Sequence, residues 1–215
     1  MKYTTVLFDL DGTLTESGEG IAKSVQYALE KQGIQEENLE KLKAFVGPPL
    51  IESFMKYYGM TRETAEKSVV FYREYFRKKG IFENAVYPGI PEMLKNLKDK
   101  GYLLAVASSK PEPFVRQIMD YFALTPFFDE ITGSTLDEKR TAKVDVIEET
   151  LRRMGLSDRR DEVVMVGDKE HDVLGAAEAG LDCIGVLYGY GTREELEAAK
   201  PAFLAETVSG LMDLL

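Results

Sequence analysis

Short apolar runs recur along the chain and close on small or acidic residues: VLFDL (6–10), LLAVASS (103–109), EITGS (130–134), VVMVGD (163–168) and CIGVLYG (183–189). Most are rich in β-branched residues and lack polar alternation, which is how strands buried on both faces read. Between the later runs the apolar period becomes helical, over residues 90–100, 111–122, 143–154 and 171–179. Boundary signals agree. Gly101, Gly155 and Gly180 stand where a left-handed C-terminal residue belongs, Pro91 and Pro111 stand near helix starts, and TREE (192–195) reads as a capping box. Strand–helix alternation of this kind predicts an α/β fold with a doubly wound, parallel, five-stranded, Rossmann-like core.

The stretch after the first run breaks this rhythm. From residue 16 to 83 only helical patterns recur, in GIAKSVQYALEKQG, NLEKLKAFVG, PPLIESFMKYYG and TRETAEKSVVFYREYFRKKG. A connection this long is no ordinary strand-to-helix loop. It predicts an inserted α-helical domain at 16–83, with the α/β core formed by 1–15 and 84–215. Helical spacing assigns Tyr57, Tyr58, Phe71, Tyr72, Tyr75 and Phe76 to the core of that insertion. The loop VGPPL (46–50) combines a glycine that permits close backbone approach with two prolines that stiffen it. Gly47 is therefore the candidate specificity position of the insertion.

Composition narrows the partners. The 215 residues carry a formal net charge of −10 with 30% charged and 44% hydrophobic residues, an ordinary globular balance that disfavours nucleic acid and anionic membrane. An anionic substrate would need local help from a metal, a lysine or backbone N–H groups. The single cysteine, Cys183, allows no internal disulfide, lies in a strand pattern and fits a reducing compartment. No signal-peptide pattern and no apolar run near the ~18 residues of a membrane span are seen. The expectation is a soluble, cytoplasmic protein, and nothing in the pattern specifies an oligomeric state.

Chemistry gathers at the ends of the strand patterns. Asp9 and Asp11 stand one residue apart where the first run meets a Gly-Thr turn, a repulsive arrangement unless a cation compensates. LLAVASSK closes on Ser108, Ser109 and Lys110, VVMVGDKEHD closes on Asp168 with Asp172 four residues later, and Lys143 opens a helix. Adjacent strand ends of a doubly wound sheet converge on one crevice. There Asp9 and Asp168 suit Mg²⁺, a hard cation that takes carboxylate and phosphate oxygens. The Ser108 hydroxyl, the Lys143 ammonium and nearby backbone N–H groups suit the remaining oxygens of a phosphoryl group. One acid of the first pair can attack phosphorus while the other shuttles protons.

DLDGTLTES, ASSKP, Lys143 and GDKEHD resemble, in order, the four motifs of the haloacid dehalogenase superfamily, in its phosphatases with a helical cap inserted after the first strand. FVGPPL, AVYPGI and IGVLYGYGTREEL are similar to the phosphoglycolate phosphatase-like branch, some of whose members are 5'-nucleotidases. The resemblance implies a Mg²⁺-dependent phosphomonoesterase acting on a small phosphorylated metabolite through an aspartyl phosphate. It implies Asp9 as nucleophile and Asp11 as general acid/base whose backbone carbonyl also ligates the metal. Ser108 and Lys143 are implied as phosphate binders, Asp168 as a metal ligand, Asp172 in the metal's surroundings and Thr13 as a structural support. Ser109, a further phosphate-binding candidate, departs from the asparagine common in relatives. His171, inside the fourth motif, is expected to face solvent. The alternative is a sugar phosphomutase of the β-phosphoglucomutase type, which shares the core and passes the phosphoryl group to a sugar. A dehalogenase does not need Asp11, and a receiver domain is smaller and lacks the insertion.

Overall fold

The computed structural model describes residues 2–137 and 139–215, in two compact units. The first comprises residues 1–15 and 86–215 and the second residues 16–85. In the first, the five predicted strands are all present as β1 (Thr5–Phe8), β4 (Leu103–Pro111), β5 (Glu130–Ser134), β6 (Val163–Gly167) and β7 (Asp182–Val186). A sixth, β8 (Phe203–Ala205), extends one edge, so the sheet order is β5-β4-β1-β6-β7-β8 with every pairing parallel. Three residues after Pro201 are too short to show a period, and pairing with β7 is what makes them a strand. Two further strands of two residues each, β2 (Thr15–Glu16) and β3 (Ala85–Val86), pair with one another at the unit boundaries.

The helices of this unit are α5 (Ile90–Asp99), α6 (Glu112–Tyr121), α7 (Lys143–Met154), α8 (Glu170–Glu178), α9 (Arg193–Ala199) and α10 (Val208–Leu214). β1 lies in the middle, its Leu7 registered between Ala105 of β4 and Met165 of β6. On this face Leu7, Ala105 and Met165 pack with Val146, Ile147 and Leu151 of α7 and Val173 and Ala176 of α8. Val6 and Phe8 alternate to the other face and are equally buried, with Phe8 edge-on to Phe128. Each such Leu or Phe contributes roughly 1.5–3 kcal/mol of transfer free energy, which explains the continuous apolar run. Gly101, Gly155 and Gly180 all take positive φ, as their positions after helices predict. The capping box at 192–195 is half formed. Thr192 accepts from the Glu195 N–H, but the Glu195 carboxylate turns to the Glu170 N–H and the Lys169 ammonium instead.

The open edge of β5 is covered by side chains. Arg116 donates to the Ile131 carbonyl, Arg140 donates to the Gly133 carbonyl, and Glu112 accepts from the Gly133 N–H. Arg153 ties Glu112, Glu130 and Glu149 into the same network. Edge backbone groups that would template pairing with another chain are thereby occupied.

The second unit holds α1 (Gly18–Lys31), α2 (Leu39–Leu42), a 3-10 turn (Lys43–Phe45), α3 (Leu50–Tyr58), α4 (Arg62–Tyr75) and a π turn (Phe76–Gly80). Its interior is built from Val25, Leu29, Phe45, Phe54, Val69, Tyr72 and Phe76. Of the aromatics assigned to this core, Tyr72 and Phe76 are buried. Tyr57 is instead exposed, and Tyr58, Phe71 and Tyr75 are half-buried, with the Tyr58 and Tyr75 hydroxyls donating to Glu36 and Glu83. Helical period alone does not separate a buried face from its flank, where a tyrosine keeps its hydroxyl near polar partners. Gly47 is exposed, with φ +100°, in the loop that precedes α3.

Candidate active site

The ends of β1, β4 and β6 and the start of α7 bring the predicted residues of the first unit together. Asp9 follows β1 directly and is anchored by its N–H to the Val166 carbonyl of β6 at 2.9 Å. Its carboxylate meets Lys143, whose ammonium donates to Asp9 Oδ1 at 2.7 Å and to the Ala107 carbonyl at 3.0 Å, and lies 2.8 Å from Asp172 Oδ1. One carboxylate oxygen from each of Asp9, Asp168 and Asp172 lies within 4.8 Å of the others, and all three residues are buried. Asp168 accepts from the Thr13 hydroxyl at 3.4 Å and from the Tyr190 N–H at 2.8 Å. Asp172 accepts from the Lys169 N–H at the start of α8.

The electrostatics follow from crowding like charges out of water. Burial pushes the Asp168 carboxyl well above the usual range, and the Asp172 and Asp9 charges push it further while the Tyr190 N–H opposes them. Burial also raises Asp172, although the Lys143 charge holds it back. For Lys143 burial acts to neutralise the ammonium, but Asp172 and Asp9 together outweigh it and hold the charge more firmly than in water. Three buried carboxylates thus lie together, two of them paired to the Lys143 ammonium, and such a group of oxygen donors can hold a cation.

Ser108 is buried at the end of β4, where its hydroxyl accepts from the Lys110 N–H at 3.3 Å. Ser109 lies half-buried on the same turn. His171 is exposed at the start of α8, and Cys183 is buried in β7 with its thiol pushed up by burial, as expected of a structural cysteine. Gly47 belongs to the other unit.

Comparison with known proteins shows the family of the chain. A profile of haloacid dehalogenase-like hydrolases matches residues 6–186. The chain belongs to the haloacid dehalogenase-like hydrolases. It is 45% identical to a 5'-nucleotidase of Pseudomonas aeruginosa across all of this chain and 96% of that protein. It is 37% identical to the tyrosine-protein kinase PtkA of Mycobacterium tuberculosis over 98% of this chain and 72% of that protein. The crystal structure of a predicted phosphatase from Clostridium acetobutylicum superposes with a TM-score of 0.96, at 48% identity, covering 100% of this chain and 98% of that one. Among the described residues, none of the helices of this haloacid dehalogenase-like hydrolase is long and apolar enough to cross a membrane.

Two contributions escaped the reading of this haloacid dehalogenase-like sequence as a set of candidates. Lys110 stands 2.7 Å from Asp11 Oδ2, with both side chains largely buried. The loop after β7 reaches back over the site. Tyr190 supplies its N–H to Asp168, and the Tyr188 hydroxyl donates to the Thr13 carbonyl while its ring packs edge-on to Tyr87. Lys110 had a signal, its place at a strand end. The Tyr190 contact is made by backbone, so residue type carries no trace of it.

Proposed function

We propose that the protein is a Mg²⁺-dependent phosphomonoesterase of small phosphorylated metabolites, in which Asp9 is the nucleophile and Asp11 the proton donor and acceptor. The observation that carries this reading is the grouping of Asp9, Asp168 and Asp172, the first and last of them paired to the Lys143 ammonium. An all-oxygen donor set suits a hard divalent cation, and the upward push on Asp168 and Asp172 is what such a charge would relieve. Asp9 and Asp168 would hold it, with the Asp11 carbonyl and Asp172 in support. When bound, Mg²⁺ supplies positive charge to the phosphoryl oxygens.

The chain's own groups perform the rest. The Ser108 hydroxyl, Ser109 and the Lys143 ammonium bind phosphoryl oxygens and hold the phosphorus in line with Asp9. An Asp9 oxygen attacks; its bond to phosphorus forms as the ester bond breaks, and Asp11 gives a proton to the departing oxygen. Water then attacks the aspartyl phosphate and passes a proton to Asp11, and inorganic phosphate leaves with Asp9 restored. The helical unit of residues 16–85 is the cap that selects substrate, with Gly47 in its specificity loop. The relative named as a 5'-nucleotidase favours nucleoside 5'-monophosphates, and phosphoglycolate-like acids are the second class to assay. A cytoplasmic site of action fits the lone buried cysteine. The sugar phosphomutase alternative gains no support from these relatives.

The relative named as a tyrosine kinase motivates a second reading, transfer of the phosphoryl group to a protein hydroxyl. One experiment separates them. Phosphate release from a panel of phosphorylated metabolites, with EDTA and with Mg²⁺ restored, supports the hydrolase. Transfer from a nucleoside triphosphate to a tyrosine peptide, without release from any monoester, supports the kinase.

A further inference from the structure

Two lysines divide the acids of the site. Lys143, from the start of α7, serves Asp9 and Asp172, whereas Lys110, from the end of β4, stands 2.7 Å from Asp11 Oδ2. The side chains of this second pair are 7% and 11% exposed, so the ion pair is shielded from bulk water and from salt. Asp11 Oδ1 is also buried, yet it has no hydrogen-bond partner among the described residues. A buried carboxylate with one oxygen engaged and the other unsatisfied is costly for a fold. It is what a group needs if the second oxygen is to meet something that arrives.

The placement of Lys110 is built in. β4 shifts register against β5 between Ser108 and Pro111, and the Ser108 hydroxyl accepts from the Lys110 N–H inside that irregularity. The bulge makes neighbouring side chains of one strand end serve different partners, with Ser108 kept for the phosphoryl group and Lys110 turned to Asp11. Asp11 itself sits on a turn whose backbone bridges to Thr15, so its carboxylate has a fixed origin and needs only its rotation set.

We propose that Lys110 is a positioning residue for Asp11: it holds Oδ2 so that Oδ1 faces the oxygen that leaves and the water that enters. The inference rests on the phosphatase reading and on Asp11 as its proton carrier. It separates Lys110 from Lys143, which contacts the nucleophile.

The test uses the full chain and two monoesters, an alkyl phosphate whose leaving oxygen needs a proton and a nitrophenyl phosphate whose leaving oxygen does not. kcat/KM is the readout because it ends at departure of the leaving group, before the water step. Lys110→Met should lower kcat/KM for the alkyl ester about tenfold more than for the aryl ester, a part of the roughly hundredfold or greater effect of a general acid, because the acid remains and only its orientation is lost. Lys110→Arg should recover most of that difference. In an Asp11→Asn background, Lys110→Met should change the alkyl-to-aryl ratio by less than about twofold, as expected of two residues acting as one unit. If Lys110→Met does not fold, Lys110→Gln enters the same cycle. Equal losses on both esters, or a full loss persisting beside Asp11→Asn, would mean that Lys110 binds the phosphoryl group itself and overturns the assignment. A wild-type protein that releases phosphate from neither ester overturns the phosphatase reading and this inference with it, an outcome distinct from the others.

Discussion

A methyl group on Gly189 would sit 2.4 Å from Asp168 Cβ and 2.4 Å from the Gly12 carbonyl oxygen. The loop after β7 therefore lies against the metal-ligand candidate and the first-motif turn at once, and only glycine fits between them. Gly189→Ala should push Asp168 out of place and raise the Mg²⁺ concentration for half-maximal activity at least about fivefold, in line with the usual effect of disturbing a ligand's support. A metal titration of activity, paired with calorimetry of Mg²⁺ binding, checks this. An unchanged requirement would show that the loop has moved without carrying Asp168.

Asp9→Asn keeps the size of the side chain and removes the charge required for attack. Turnover on the best monoester should drop to background, while thermal melting shows a folded protein. Retention of more than a few per cent of wild-type activity, with contamination excluded, would falsify the nucleophile assignment.

Lys143 is the cation among three buried acids, so its removal is a stability experiment as well as a kinetic one. Lys143→Met leaves Asp9 and Asp172 buried without their partner and should destabilise the fold by about 3–5 kcal/mol. Denaturant unfolding in the absence of Mg²⁺ measures it. A loss below about 1 kcal/mol, the scale of an exposed pair, would show that the acids relax into water and that the network adds little.

Metal removal should act on the fold too. A ligand that binds only the native state stabilises it by mass action, about 2.7 kcal/mol at one hundred times its dissociation constant. Tm should rise with added Mg²⁺ and fall on chelation, and Asp168→Asn should blunt the response. A Tm indifferent to Mg²⁺ from micromolar to tens of millimolar would count against a metal at this cluster.

Gly47 holds φ +100°, so any side chain there strains the loop whether or not it touches a substrate. Gly47→Ala is thus the mildest probe of the proposed specificity loop. kcat/KM for the preferred metabolite should fall several-fold more than for an aryl phosphate. Parallel losses accompanied by a lower Tm would assign the loop to folding alone.

The strand ends of the candidate site were legible because apolar runs that stop on Asp, Ser or Gly report both a buried strand and its terminus. That pattern is what assigns Asp9, Ser108 and Asp168 to neighbouring strand ends from the sequence. What the pattern could not carry was contact. The Lys110–Asp11 pair depends on a register shift within β4, and the Tyr190–Asp168 bond depends on a main-chain N–H. β8 was invisible for another reason: three residues have no period, and their extended form is imposed by β7. The aromatics of the helical unit show the opposite error, a period read as burial where Tyr57 and Tyr58 lie on its margin.

The central place of β1 also bears on how the protein is made. β1 lies in the middle of the sheet, and both of its neighbours are encoded far downstream of it. Until β6 emerges, the nascent chain carries VLF without a complete slot and Asp9 without Asp168. A translation product ending before that strand lacks Asp168 and Asp172, two of the three clustered carboxylates. Assembly of the carboxylate cluster therefore waits on the synthesis of β6 and α8.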